Sequence, residues 1–377
     1  MTDVVLLLLV AAVVAVVLLS VLYVRKSDGA DISLTSKRKR RLAAIVASGI
    51  SITLVMFIVA LSLGSAGTIP VTDAISSMFS AIQNGVHTGD ERTIFHFRMP
   101  RAIVSITVGI GLAVAGCIYQ AIIRNPLVDS YITGVSSGAG FAAILAIVSG
   151  TAFGFALGSS LVVPIAAIIG GLLALTMTML IGEKAGGSST NYVLAGVVVG
   201  FMFAAMQTLV LAFSGDKLRN AVFWLYGSFA NLDWSMVGLV VIPVLAMSFL
   251  TLLWAKELNL VLLGEDQARQ AGLNVKKFNR SMMIFASIIT AICVAFVGII
   301  GFVGLVVPHI CRMILGGDHR LVLPASIAIG GFMMLVADMI ARMAITQSEL
   351  PVGAITALIG VPLFAFLLMK KGRMYDG

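Results

Sequence analysis

The side chains able to do chemistry in this sequence are few, and they gather in short polar segments. Phe97–Arg101 reads FRMPR and sets Arg98 and Arg101 one helical turn apart. Arg342 follows Asp338 by four residues, which puts both on one helical face. An arginine fork binds carboxylates two bonds at a time, so these residues either pair internally or meet an acidic partner. Leu262–Val275 reads LLGEDQARQAGLNV and contains Leu263, Gly264, Glu265, Asp266 and Arg269. Gly264 can break the chain between two short helices. The apolar residues around it argue against a plain solvated loop and for a protein contact. Asn125, Leu127, Ser189 and Thr190 are either helix caps or the small polar groups and apolar plug of a pore closure. Phe302–Arg320 reads FVGLVVPHICRMILGGDHR, and Ser348–Gly360 reads SELPVGAITALIG. His309, Arg312, Asp318, His319 and Arg320 lack the spacing of a ligand set. They read as a polar network at a helix end, and neither a metal nor a cofactor is expected.

The chain that must position these groups has 377 residues, is 59% hydrophobic and 11% charged, and has a mean hydropathy of +1.07. A soluble domain carries about 25% charged residues. A chain this apolar needs the bilayer as solvent. Its continuous apolar runs imply helices rather than the alternation of a barrel. The net charge of +8 would raise the question of nucleic acid in a soluble protein. Here the basic residues flank apolar spans, the positive-inside pattern, and no nucleic-acid partner is expected. Cys117, Cys293 and Cys311 lie scattered in apolar segments and read as small buried hydrophobes.

Val4–Val24 is a charge-free run that reads as an extra N-terminal transmembrane helix. A basic cytoplasmic linker, 25–41, follows and ends in Lys37-Arg38-Lys39-Arg40-Arg41. Further apolar runs span about 42–63, 99–121, 131–150, 160–183, 191–213, 234–255, 280–300, 303–317, 321–345 and 353–370, each near the ~20 residues a span needs. Starting inside at Arg41, ten crossings return the C-terminus to the cytoplasm, beside Lys370, Lys371 and Arg373. This topology also places the loop 256–280 inside and the loop 64–98 outside. Pro164 precedes Gly170-Gly171 as Pro324 precedes Gly330-Gly331, in spans of opposite direction, which hints at an inverted repeat.

Five ordered blocks within residues 40–371 resemble the permease subunits of ABC importers for iron–siderophore, haem and vitamin B12 (the FecCD/BtuC-like family). They are FRMPR through NPLVDSYITGVSSGAG, VLAG (193–196), FWLYGSF (223–229), LLGEDQARQAGLNV, and the C-terminal pair quoted above. Met99, Val128 and Ser130 depart from the family's Leu, Ala and Pro. The resemblance implies an all-α polytopic permease domain, 42–371, with a short tail, 372–377. It implies a homodimer, two copies of a separate ATPase and an extracytoplasmic binding protein, all at the cell membrane. It also implies roles: Arg98, Arg101 and Arg342 dock the binding protein; Leu263, Gly264, Glu265, Asp266 and Arg269 couple to the ATPase; Asn125, Leu127, Ser189 and Thr190 form the cytoplasmic gate. The cargo is left open among metal chelates, with oxyanions such as molybdate beside them.

The chain has no GxxxxGK[ST] phosphate loop, so ATP hydrolysis is expected from a partner and not from this subunit. The spans contain almost no carboxylates apart from Asp338, whereas a stand-alone secondary transporter or channel usually needs such groups near the midplane. An intramembrane enzyme would want paired catalytic groups, which the spans lack. A tag placed before Val4 should be reachable from outside the cell; a tag shielded from external label would reverse the orientation of the first helix.

Overall fold

The computed structural model describes residues 36–64, 67–150, 161–230, 232–345 and 349–375. The expected helix Val4–Val24 and most of the basic linker lie outside the described residues. Every described element is helical. Helix α1, Ser36–Ser62, starts on the basic run and continues as an apolar span. An amphipathic helix, α2, Val71–Asn84, follows. Helix α3 runs from Gly89 to Ile123. It opens with a capping box, in which Thr88 Oγ1 accepts from Glu91 N and the Glu91 carboxylate accepts from Thr88 N. It passes through a π-helical stretch, Thr93–Arg98, before settling into α-helix at Met99.

The remaining helices are α4 Val135–Ser149, α5 Val162–Lys184, α6 Ser189–Ala212, the short α7 Leu218–Leu225, and α8 Trp234–Leu250. Helix α8 continues through a tight turn, Thr251–Trp254, into α9, Ala255–Leu262, and then α10, Glu265–Gln270. Helices α11 Val275–Val297, α12 Val303–Leu315, α13 His319–Met343 and α14 Val352–Tyr375 complete the chain. All ten expected runs after the first fall on helices. Among the described residues seven helices are long and apolar enough to cross a membrane, and Val135–Ser149, Val303–Leu315 and Val352–Pro362 are shorter apolar helices. The segment 64–98, expected as an outer loop, is more structured than its polarity suggested, since α2 and the first turns of α3 fill most of its described residues.

Helix α3 is the axis of the bundle. Almost every residue from Met99 to Ile122 is buried, and α8, α11, α12 and α13 pack around it. Lipid tails are as apolar as leucine, so close packing must hold such helices together. Two glycine pairs show how. A Cβ on Gly109 would run into the Gly330 carbonyl, and one on Gly138 into that of Gly170. Gly170 and Gly330 are the first glycines of the two matched Pro–Gly-Gly segments, so both segments serve one purpose, a backbone-to-backbone crossing.

Two non-helical segments, 128–134 and 298–302, lie buried or half-buried in the bundle and are bonded by protein groups. Tyr131 Oη donates to Ile300 O at 2.5 Å and accepts from Ile300 N at 2.9 Å. Phe302 N donates to Asp129 Oδ2 at 3.3 Å. Gln120 Nε2 donates to Val128 O at 2.9 Å and to Gly304 O at 3.1 Å. Backbone outside a helix is tolerated in an apolar bundle only where protein groups bond it.

The crossings yield a stability test. Gly109→Val should lower the melting temperature in detergent, because overpacking costs about 1–3 kcal/mol. Gly238→Ala, with nothing within 4 Å of the new Cβ, should leave it unchanged or raise it. Equal behaviour of the two variants would remove the crossing from the account.

Candidate functional site

The chemistry-bearing residues collect at the two ends of the bundle. At one end the three arginines singled out from sequence come together with α1. Arg98 is 6% exposed. Its Nη1 donates to Leu61 O at 2.7 Å and Ser62 O at 2.6 Å, and its Nη2 to Gly67 O at 2.8 Å. Arg342 Nη2 donates to Ala60 O at 2.9 Å. The last carbonyls of a helix have no partners within it and carry the negative end of its dipole, so cations settle there. Helix α1 lies at the bundle surface over most of its apolar length, and these two arginines tie its end down.

Arg101 takes the carboxylates. Its Nη2 donates to Asp338 Oδ1 at 2.7 Å and its Nε to both Asp338 oxygens, while Nη1 donates to Glu349 Oε1 at 2.8 Å and Oε2 at 2.9 Å. Asp338 is fully buried. Arg342 stands only 3.8 Å from Asp338, the i,i+4 partner expected from sequence. Its closer rival, Arg101, has the shorter and bidentate contact. None of the three guanidinium groups projects free from the surface. Neither snorkelling to the interface nor an unoccupied docking head describes them in the isolated chain. Glu349, from the SELPVG segment, was not foreseen as part of this group.

At the other end, α9 and α10 form a bent element beyond the span. Gly264 sits at the bend with φ 116°, a conformation that suits glycine. Ala268 and Val261 are buried beneath it. Leu262, Leu263 and Arg269 are exposed. Glu265 lies 3.5 Å from Arg124 and 3.5 Å from Arg269. Asn259 of α9 donates to Asp318 Oδ1 at 2.7 Å. Asp318 caps α13 by accepting from Arg320 N, and it pairs with Arg320 Nη2 at 2.6 Å. Burial would raise the Asp318 carboxyl, but the hydrogen bonds from Arg320 and Asn259 and the Arg320 charge prevail and hold it below its ordinary value. The expected polar network around His319 and Arg320 therefore exists.

The four gate candidates also lie at this end. Asn125 Oδ1 accepts from Leu127 N at 2.9 Å, and Leu127 is exposed. Ser189 Oγ donates to Ile122 O at 3.0 Å, which joins the start of α6 to the end of α3. Thr190 is exposed. The N-cap of α6 is their neighbour Ser188. Arg124, adjacent to Asn125, adopts the left-handed region with φ 54° and is the residue that reaches Glu265. A neighbour of the gate candidates, Arg124, thus touches the coupling candidate Glu265.

The FecCD transport family model matches residues 52–370. The cobalamin import system permease protein BtuC of Halobacterium salinarum is 38% identical over 293 residues, which cover 77% of each chain. The Bacillus subtilis ABC transporter permease protein YvrB, itself uncharacterized, is 34% identical over 343 residues, covering 89% of this chain and 96% of its own. A solved structure described as an inward-facing conformation of a protein assigned to the metal-chelate type ABC transporters superposes with a TM-score of 0.76. It is 31% identical and covers 87% of this chain and 99% of that one.

Arg101→Ala should destabilise the purified chain strongly, since it strands a buried carboxylate, a loss of about 3–5 kcal/mol. Adding Asp338→Asn should recover part of it in a thermal melt. An Arg101→Ala chain as stable as the parent would contradict this reading of the pair.

Proposed function

The chain belongs to the FecCD transport family, and from that premise we propose that it is the membrane permease of a binding-protein-dependent importer for a metal chelate. The relatives favour a corrinoid as cargo over a ferric siderophore or haem. Two copies pair around a central pathway. A separate ATPase supplies the energy, since this chain contains no phosphate loop of its own. The C-terminus faces the cytoplasm of a cell-membrane protein that crosses the bilayer many times.

One observation carries the proposal: the bent element α9–α10 leaves Leu262 and Leu263 exposed beyond a span, beside the charged Glu265, Asp266 and Arg269. Two adjacent leucines at such a tip have no lipid to cover them, and a groove on a partner protein would. Movement of this element reaches the gate region through Glu265 and Arg124. Asn125, Leu127, Ser189 and Thr190 would close the pathway there without binding the cargo. At the outer end, the surface framed by Arg98, Arg101 and Arg342 receives the binding protein. Any acidic side chain it offers them competes with Asp338, Glu349 and the α1 carbonyls.

Gentle purification of the tagged chain, followed by mass spectrometry, should recover an ATPase with a phosphate-loop motif. Leu263→Glu with Arg269→Ala should reduce that recovery about tenfold, the scale of one lost apolar anchor in an interface. Recovery of the chain alone, even after crosslinking, would overturn the importer reading and favour a transporter that works unaided.

A further inference from the structure

Asn259 uses both halves of its amide to tie the coupling element to another span. It lies on α9, on the membrane side of the Gly264 bend. Its Nδ2 donates to Asp318 Oδ1 at 2.7 Å, and its Oδ1 accepts from His319 N at 2.8 Å and lies 3.0 Å from His319 Nδ1. A carboxylate only accepts and a backbone N–H only donates, so these partners fix the orientation of the amide. Asp318 is itself held by the backbone and guanidinium of Arg320. Around this joint Leu258, Val261 and His319 are buried. The first turn of α13 and the last turns of α9 are therefore one packed and hydrogen-bonded unit.

A second polar contact of the element to the bundle is weaker. Glu265 and Arg124 are 3.5 Å apart, with side chains 34% and 40% exposed, the geometry of a solvent-screened pair. Helix α13 has a second end with equal consequence. Over its 25 residues it spans about 37 Å at the rise of an α-helix. Near its far end it carries Asp338 and Arg342, which hold Arg101 and the end of α1. One helix thus connects the coupling element with the arginine frame.

We propose that Asn259 is the positioning residue of a joint that passes displacement of the coupling element into α13, and so to the arginine frame at the opposite end. The proposal rests on the importer reading above. Asn259 acts through Asp318 and His319, so its loss should separate motion from hydrolysis rather than abolish both.

The test uses the chain together with its co-purified ATPase in lipid nanodiscs. Spin labels go on Phe213→Cys, at the end of α6, and Met343→Cys, at the end of α13, where the native residues are 84% and 49% exposed. In the parent, ATP with vanadate should shift the distance between the labels relative to the nucleotide-free state. In Asn259→Leu the ATPase should stay bound and hydrolyse within about twofold of the parent, while the population of the shifted distance falls about tenfold, the scale set by losing a hydrogen bond to a charged group. The exchanged pair Asn259→Asp with Asp318→Asn puts the carboxylate on α9 and the amide on α13, restores both hydrogen bonds, and should restore the shift.

A parent without any shift would overturn the proposal, as would an Asn259→Leu variant that shifts like the parent. So would a variant that loses hydrolysis and ATPase binding together with the shift, or an exchanged pair that fails to regain it. Absence of a co-purified ATPase in the parent is a different failure. It would remove the importer reading first and this inference with it.

Discussion

Asp338 is a carboxylate with no exposure to solvent in a bundle built for lipid, and burial of such a group is costly unless a cation is fixed beside it. Arg101 is that cation. The pairing sets the register between α3 and α13, two closely packed spans with the Gly109–Gly330 crossing between them. Once Arg101 is committed to Asp338, its remaining edge takes Glu349 and so anchors the segment that leads into α14. Arg342, displaced from the same carboxylate, turns to the end of α1 instead. A helix that the bundle otherwise barely covers is held by charge at its C-terminus.

The opposite end follows a different rule. There the polar contacts between elements are graded in strength. The Asn259 amide bonds through both its nitrogen and its oxygen and is half-buried, whereas the Glu265–Arg124 pair is long and wet. Helix breaks inside the bundle are closed by side chains: Tyr131 and Asp129 bond the 298–302 segment, and Gln120 bonds two carbonyls at once. Such cross-bonding keeps irregular backbone in an apolar interior.

Much of this was legible in the sequence. The ten apolar runs gave the helices, because a span must be continuously apolar and the runs were bounded by charge. The bend at Gly264 followed from a glycine set between apolar and charged residues. Other features had no such signal. Helix α2 has the composition of a loop, and only its amphipathic spacing distinguishes it. The sequence left the three arginines open between internal pairing and an acidic partner. Their burial depends on Asp338, Glu349 and the carbonyls of α1, which lie as far away in sequence as the other end of the chain. Asn259 carried no signal at all, since a lone asparagine on a short helix is indistinguishable from a solvated one. Gln120 and Asp129 stood inside a segment already singled out, and only their partners were missing.

The most direct test of the account is ATP-driven uptake of cyanocobalamin into proteoliposomes holding this chain and its co-purified ATPase. The account predicts uptake that requires ATP and the cargo-loaded binding protein, and that disappears when the ATPase is left out. Uptake by the chain alone, or uptake driven by an ion gradient with no ATP present, would contradict it.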